Sequence, residues 1–302
     1  MSFILMAKNK ASFNPQISGA RKSSSIKSIS FFDSDYVEEK KSPIDIFNTK
    51  KQNNLKLLGA SLFNPETREF SSLAANRTPE WQQLSNLLIL GFVSCVESYF
   101  RCVIRRLISI DHHSRKLSYK HMLPYGAAMY HKDSLLPEAL LESTSFHSSK
   151  NIRETVKQFT GVVLNDNKYK ELSNIFEEFD IVGHLRHCVV HRSGLLGSTN
   201  AMALGLDEHY IYLEKPIHID LAAIQEIGLV CENLVRVVND VLFAEVMLRS
   251  SQYFDWTGDL RKDKTNFSLF FNLFAPSSDD LEDNLKTYYR EFIKLTNAKV
   301  RI

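Results

Sequence analysis

The sequence predicts a mainly α-helical bundle with a small β-hairpin inserted near residue 205. Two long stretches, about 78–110 and 220–250, repeat apolar residues every three to four positions. A third helical stretch, about 167–192, runs into the stop signal Ser193-Gly194. Hydrophobic residues make up 44% of the 302, enough for a substantial core and against global disorder. The formal net charge of +2 excludes a general polycation, so any nucleic-acid contact has to come from a local patch.

Residues 1–30 contain Lys8, Lys10, Arg21, Lys22 and Lys27, no acid, and the run Ser23–Ser25. They read as a mobile basic arm, a solubilising tail or a phosphate-holding one. Residues 31–77, interrupted by Pro43, Pro65 and Asn76, predict short helices or loops. Together, residues 1–77 are expected to form a basic, partly flexible N-terminal region.

The bundle is expected over residues 78–250. Thr78-Pro79-Glu80 suits a helix start: Thr at the N-cap, Pro in the first turn, and an acid at the positive end. From there Trp81, Leu84, Leu88, Phe92, Val96, Tyr99, Val103 and Leu107 form one stripe, ended by Asp111-His112-His113. Its apolar run is interrupted by Ser85, Asn86, Gly91 and Ser94, which predicts a core helix rather than a membrane span. Shorter helices are expected at about 116–131, 135–143 and 148–160, the last stopped by Gly161. In the 167–192 helix, Leu172, Phe176, Phe179, Val182 and Val189 lie on the apolar side, and Gly183 is a candidate bend. Ala201–Leu204 and His209–Leu213, around Gly205-Leu206-Asp207-Glu208, predict the hairpin. Asp220 then suits the cap of a helix to about Ser250, striped by Leu221, Ile224, Ile227, Leu234, Val238 and Val241. A C-terminal extension, 251–302, holds the aromatic run Phe267–Phe274 and an amphipathic helix near 278–296. Both are expected to pack on the bundle or cover a partner interface.

Cys95, Cys102, Cys188 and Cys231 form no CxxC pair, so they read as reduced, buried thiols of a cytoplasmic protein rather than a zinc ribbon. No secretory signal stands out.

The densest chemistry is Arg186-His187-Cys188-Val189-Val190-His191-Arg192. Metal-free RNA cleavage uses the 2′-hydroxyl as nucleophile and needs a proton acceptor, a proton donor and a fixed cation for the charged phosphorane. His191 suits proton transfer, because an imidazole ordinarily titrates near neutral pH. Arg186 stays charged and offers a planar fork to phosphate. His187 suits phosphate orientation or a share in proton transfer. Five residues separate Arg186 from His191, which is about 140° around an ideal helix. A tightened last turn, or a two-fold dimer that joins two motif copies, would bring them into one cleft.

Other readings remain open beside this one. His191 also suits a helix C-terminus through the dipole. Arg186 also suits a surface ion pair with Glu177, Glu178 or Asp180. His184, His187 and His191 share one helix face and would offer three imidazoles to zinc, without the acid of an HExxH site.

An Arg and a polar residue, then a His at the helix end before a Gly, resemble the signature of HEPN domains. The resemblance is to the toxin-like and defence-associated ribonuclease branches, the RiboL-PSP-like branch among them, and covers about residues 79–250. Gly91–Arg101 resembles the first HEPN helix, with Glu97 where such helices often carry an acid facing the site. His187 departs from the more usual Asn or Asp. The resemblance implies an α-helical bundle that dimerises through its motif helices, with metal-independent endoribonuclease activity and no cofactor or metal. It implies an RNA substrate, a homodimer, an antitoxin or sensor as a further partner, no membrane, and a role in growth arrest or antiviral defence. Arg186, His191, His187 and Glu97 are the site residues it implies. The rival reading is a non-catalytic helical module that binds a protein or a nucleotide.

Overall fold

The computed structural model describes residues 17–64, 69–70 and 78–299. The chain divides into two compact units, Met1–Lys40 and Lys41–Ile302. In the first, the described residues hold a single 3-10 turn, Ser28–Phe31, with nothing buried.

The second unit is helical: α1 (Pro43–Leu62), α2 (Pro79–Ile110), α3 (His112–Ser118), α4 (Tyr125–Tyr130), α5 (Leu136–Leu141), α6 (Ser149–Thr160), α7 (Glu171–Arg192), α8 (Ser198–His209), α9 (Leu221–Ser250), α10 (Leu260–Phe274) and α11 (Leu281–Lys299). The centre is α2, packed by α1, α7 and α9. Its start follows the local chemistry: the Thr78 side chain accepts from the Trp81 N–H at 3.2 Å, and Pro79 opens the first turn. Trp81, Phe92, Val96, Tyr99, Val103 and Leu107 are buried along it. By length and composition α2 could cross a membrane; here its apolar faces are taken up by other helices. Asp111 ends α2 and caps α3, accepting from the Ser114 N–H at 2.7 Å. Asp220 caps α9 in the same way.

Residues 43–62 differ from the expectation of short helices or loops over 31–77, of which 65–68 and 71–77 lie outside the described residues. Ser42-Pro43 starts the twenty-residue α1, which buries Ile44, Phe47, Leu58 and Leu62 in the same core as α2. A two-residue ladder, Phe63↔Phe70 and Asn64↔Glu69, follows it. The aromatic run in α10 is buried: Phe267, Phe270, Phe271 and Phe274 pack with Phe243 and Trp256, and Tyr289 and Phe292 of α11 close over them.

The β-hairpin is not there. Residues 198–209 are helix α8, with a break at Gly205 (φ 105), and Tyr210–Tyr212 form a 3-10 turn. The one extended pairing in this region is an isolated bridge, Leu195↔Pro216. A β-like run of four residues is too short to outweigh the helix propensity of Ala201, Met202, Ala203 and Leu204. Helical spacing also puts Asn200 and Ala201 against Cys188 and Leu196, burial that a strand would forfeit.

Candidate functional site

The site lies on the C-terminal half of α7. Ser193 turns left-handed (φ 53), Gly194 follows (φ 85), and the Gly194 N–H donates to the Cys188 carbonyl at 3.0 Å, closing the helix. His191 and Arg192 thus occupy the last turn, at the negative end of the dipole. His187 and His191 are exposed, with ring centroids 4.6 Å apart. Arg192 is held in an ion pair with Glu214.

Arg186 is half-buried and makes no hydrogen bond or ion pair among the described residues. The three acids that would make it a routine surface pair are engaged elsewhere. Glu177 accepts from Ser173 at 3.1 Å, Glu178 accepts from Asn174 at 3.0 Å, and Asp180 accepts from the Ser149 N–H at 2.7 Å. A partly desolvated guanidinium without an anion invites one from solution.

The structure adds a residue that sequence reasoning missed. His147, in the loop between α5 and α6, comes close enough to Arg186, His191 and Glu97 to feel all three charges. Burial, then Arg186, push its imidazole below the ordinary histidine range, and Glu97 partly opposes them. The loop is tied down on both sides. From α2, Arg101 donates to the Leu141 and Thr144 carbonyls, and Phe100 stacks on buried Phe146 at 5.5 Å. From α7, Asp180 takes the Ser149 N–H and hydroxyl just after Ser148 caps α6. Ser145 hydrogen-bonds His147 Nδ1, leaving Nε2 as the nitrogen without a partner among the described residues.

Gly183 makes this approach feasible. A Cβ there would sit 2.5 Å from the His147 carbonyl oxygen. The helix shows no non-helical residue at this point, so Gly183 is a place of close backbone approach and not a bend. That glycine was the available signal for the missed histidine.

Glu97 lies on α2, half-buried, with Oε1 3.5 Å from the Phe146 N–H. It borders the His147 loop. His187 is fixed by a second missed residue. Buried Asn200 donates from Nδ2 to His187 Nδ1 at 3.0 Å, while its Oδ1 meets His184 Nδ1 at 3.1 Å. With Nδ1 as acceptor, neutral His187 carries its proton on Nε2. Burial, then the charges of His191, His184 and Arg186, hold His187 below the usual range. His184 and His187 both turn Nδ1 to Asn200, and among the described residues no group of three or more His, Cys, Asp or Glu is arranged to hold a metal ion. A cavity of about 540 Å³ among α9, α10 and α11 contains none of these residues.

Comparison with known protein families, curated proteins and solved structures finds no match to this chain.

Proposed function

We propose that this chain is a metal-independent endoribonuclease of HEPN type, acting in growth arrest or antiviral defence. The observation that carries the reading is a half-buried, unpaired arginine, Arg186, beside histidines 147, 187 and 191. Such a group suits a phosphodiester: one permanent positive charge, and imidazoles able to accept and to donate a proton.

In the proposed reaction the RNA 2′-oxygen attacks phosphorus as one histidine takes its proton. Arg186 hydrogen-bonds the non-bridging oxygens as charge builds on them. The bond from phosphorus to the 5′-oxygen breaks, and a second histidine donates the proton that oxygen needs. The products are a 2′,3′-cyclic phosphate and a 5′-hydroxyl. His191 and His147 are the two proton-transfer groups, His187 orients the phosphate, and Glu97 tunes His147 by its charge. A homodimer and a regulatory antitoxin or sensor belong to the same reading.

The test is cleavage of total RNA by purified protein in EDTA, beside Arg186→Ala, His191→Ala and His147→Ala. The reading requires that wild type cuts and that each folded variant loses about a hundredfold or more. Activity that survives Arg186→Ala and His191→Ala rejects the site. A wild type that binds RNA and never cuts it favours the non-catalytic module.

A further inference from the structure

Residues 112–132, the α3–α4 region, contain no Asp or Glu, yet they include Arg115, Lys116, Lys120 and Lys132, four histidines and three tyrosines. Tyr119, Tyr125 and Tyr130 are 73%, 79% and 91% exposed. Lys116, Lys120 and Lys132 are exposed, and their side chains make no ion pair or hydrogen bond among the described residues. The chain as a whole is nearly neutral, so this is a concentration of free positive charge and unsupported rings that composition does not explain.

We propose that this region is a docking platform for single-stranded RNA, whose bases stack on the three tyrosines while the lysines track the phosphates. The choice of RNA rests on the ribonuclease reading; the platform itself rests on the exposed rings and the absence of acid within residues 112–132. An apolar protein surface would satisfy exposed rings and Met122 but would leave the lysines unmatched. A single strand matches both, because each nucleotide brings a π face and a negative charge.

The platform is anchored, which lowers the cost of ordering it on binding. The His121 ring stacks on Phe159 at 4.3 Å and meets Gln158 at 3.2 Å, both near the C-terminus of α6. His131 pairs with Glu142 at 3.9 Å. The other end of α6 begins at Ser149, beside His147. Ten residues of helix separate Ser149 from Phe159, roughly 15 Å along the axis. A strand that followed α6 from its His147 end would cover that length in a few nucleotides.

The experiment uses the full chain carrying His191→Ala, to prevent cleavage, and a short fluorescent single-stranded RNA read by anisotropy. Replacing Tyr119, Tyr125 and Tyr130 together by Ala should weaken binding at least tenfold. Replacing Lys116, Lys120 and Lys132 by Ala should reduce the salt slope of log affinity by about two. These side chains lie on the surface, so circular dichroism and Tm should match the parent. Unchanged affinity in the tyrosine variant overturns the proposal. So does equal binding of duplex RNA, whose bases cannot stack on a side chain, or binding to phosphatidylserine vesicles without binding to RNA. Loss of RNA affinity in the tyrosine variant sustains the platform even if the chain with His191 intact never cleaves RNA, which separates it from the catalytic reading.

Discussion

Gly183→Ala separates the stability of α7 from the chemistry beside it. In an open helix the substitution stabilises by about 1 kcal/mol, because alanine loses less backbone entropy than glycine. At position 183 the new Cβ would lie 2.5 Å from the His147 carbonyl oxygen, a backbone atom that cannot rotate aside. Ordinary contact begins near 3.4 Å, so the loop has to retreat by about 0.9 Å. That retreat works against the ties from Arg101 and Asp180, at about 1–3 kcal/mol of strain. The two effects leave a net loss of about 0–2 kcal/mol, which is a Tm decrease of at most about 4 °C. A displacement of roughly 1 Å at a proton-transfer group can cost about a hundredfold in rate. The expected result is a folded protein with nearly normal Tm and about a hundredfold slower RNA cleavage. Gly59→Ala is the control: no atom lies within 4 Å of its Cβ, so it should gain stability and keep full activity. A Gly183→Ala protein that cleaves at the wild-type rate would refute the reasoning and remove His147 from the mechanism.

The lowered pKa values of His147 and His187 set a pH dependence. Both lie below the unfolded value near 6.5, so their contribution to stability is complete above pH 6.5 and is lost as pH falls through the folded values. Tm should fall across that window, and sulfate, which favours the protonated rings, should restore part of it in wild type and less in Arg186→Ala. A sulfate effect of equal size in both proteins would count against an anion site at Arg186. Far from the site, buried Asp111 meets the Arg249 guanidinium at 2.5 Å and also holds Ser114. Burial already pushes the Arg249 pKa down, with Asp111 opposing it, so Asp111→Ala strands a buried cation. The loss should be about 3–5 kcal/mol, a Tm decrease of roughly 6–10 °C, with a decrease under 2 °C disproving the pair's importance. Mixing inactive His147→Ala and His191→Ala chains tests where the site is built. No recovery of cleavage is expected if each chain holds both histidines, whereas recovery would show a cleft shared between subunits.

The long helices were legible because their signals are local and redundant. Thr78 and Asp220 cap their helices with their own side chains, Ser193-Gly194 ends α7 through left-handed backbone, and thirty-residue stripes leave little room for another period. Residues 198–212 failed for the opposite reason: runs of four and five residues fit strand and helix alike, and burial against Cys188 made the choice. On α7 the sequence pointed to Arg186, His187 and His191, but their partners come from elsewhere in the chain. Asn200 arrives thirteen residues after His187, and His147 lies 39 residues before Arg186. No periodicity links a loop histidine to a helix arginine; that link exists only because α2 and α7 both grip the loop.

The spacing of Arg186 and His191 is the decisive geometric issue. On a regular helix they point about 140° apart, and α7 is regular to its last turn. One solution borrows a second motif from a partner subunit. His147 offers another within one chain, since the charges of both Arg186 and His191 act on its imidazole. In that arrangement the arginine need not share a face with the terminal histidine; it needs only to share a phosphate with it, and the loop histidine supplies the second proton path. The glycine at 183 then has a chemical purpose. A side chain there would cost α7 little, yet it would hold the loop away and return the site to a lone Arg and a lone His on different faces.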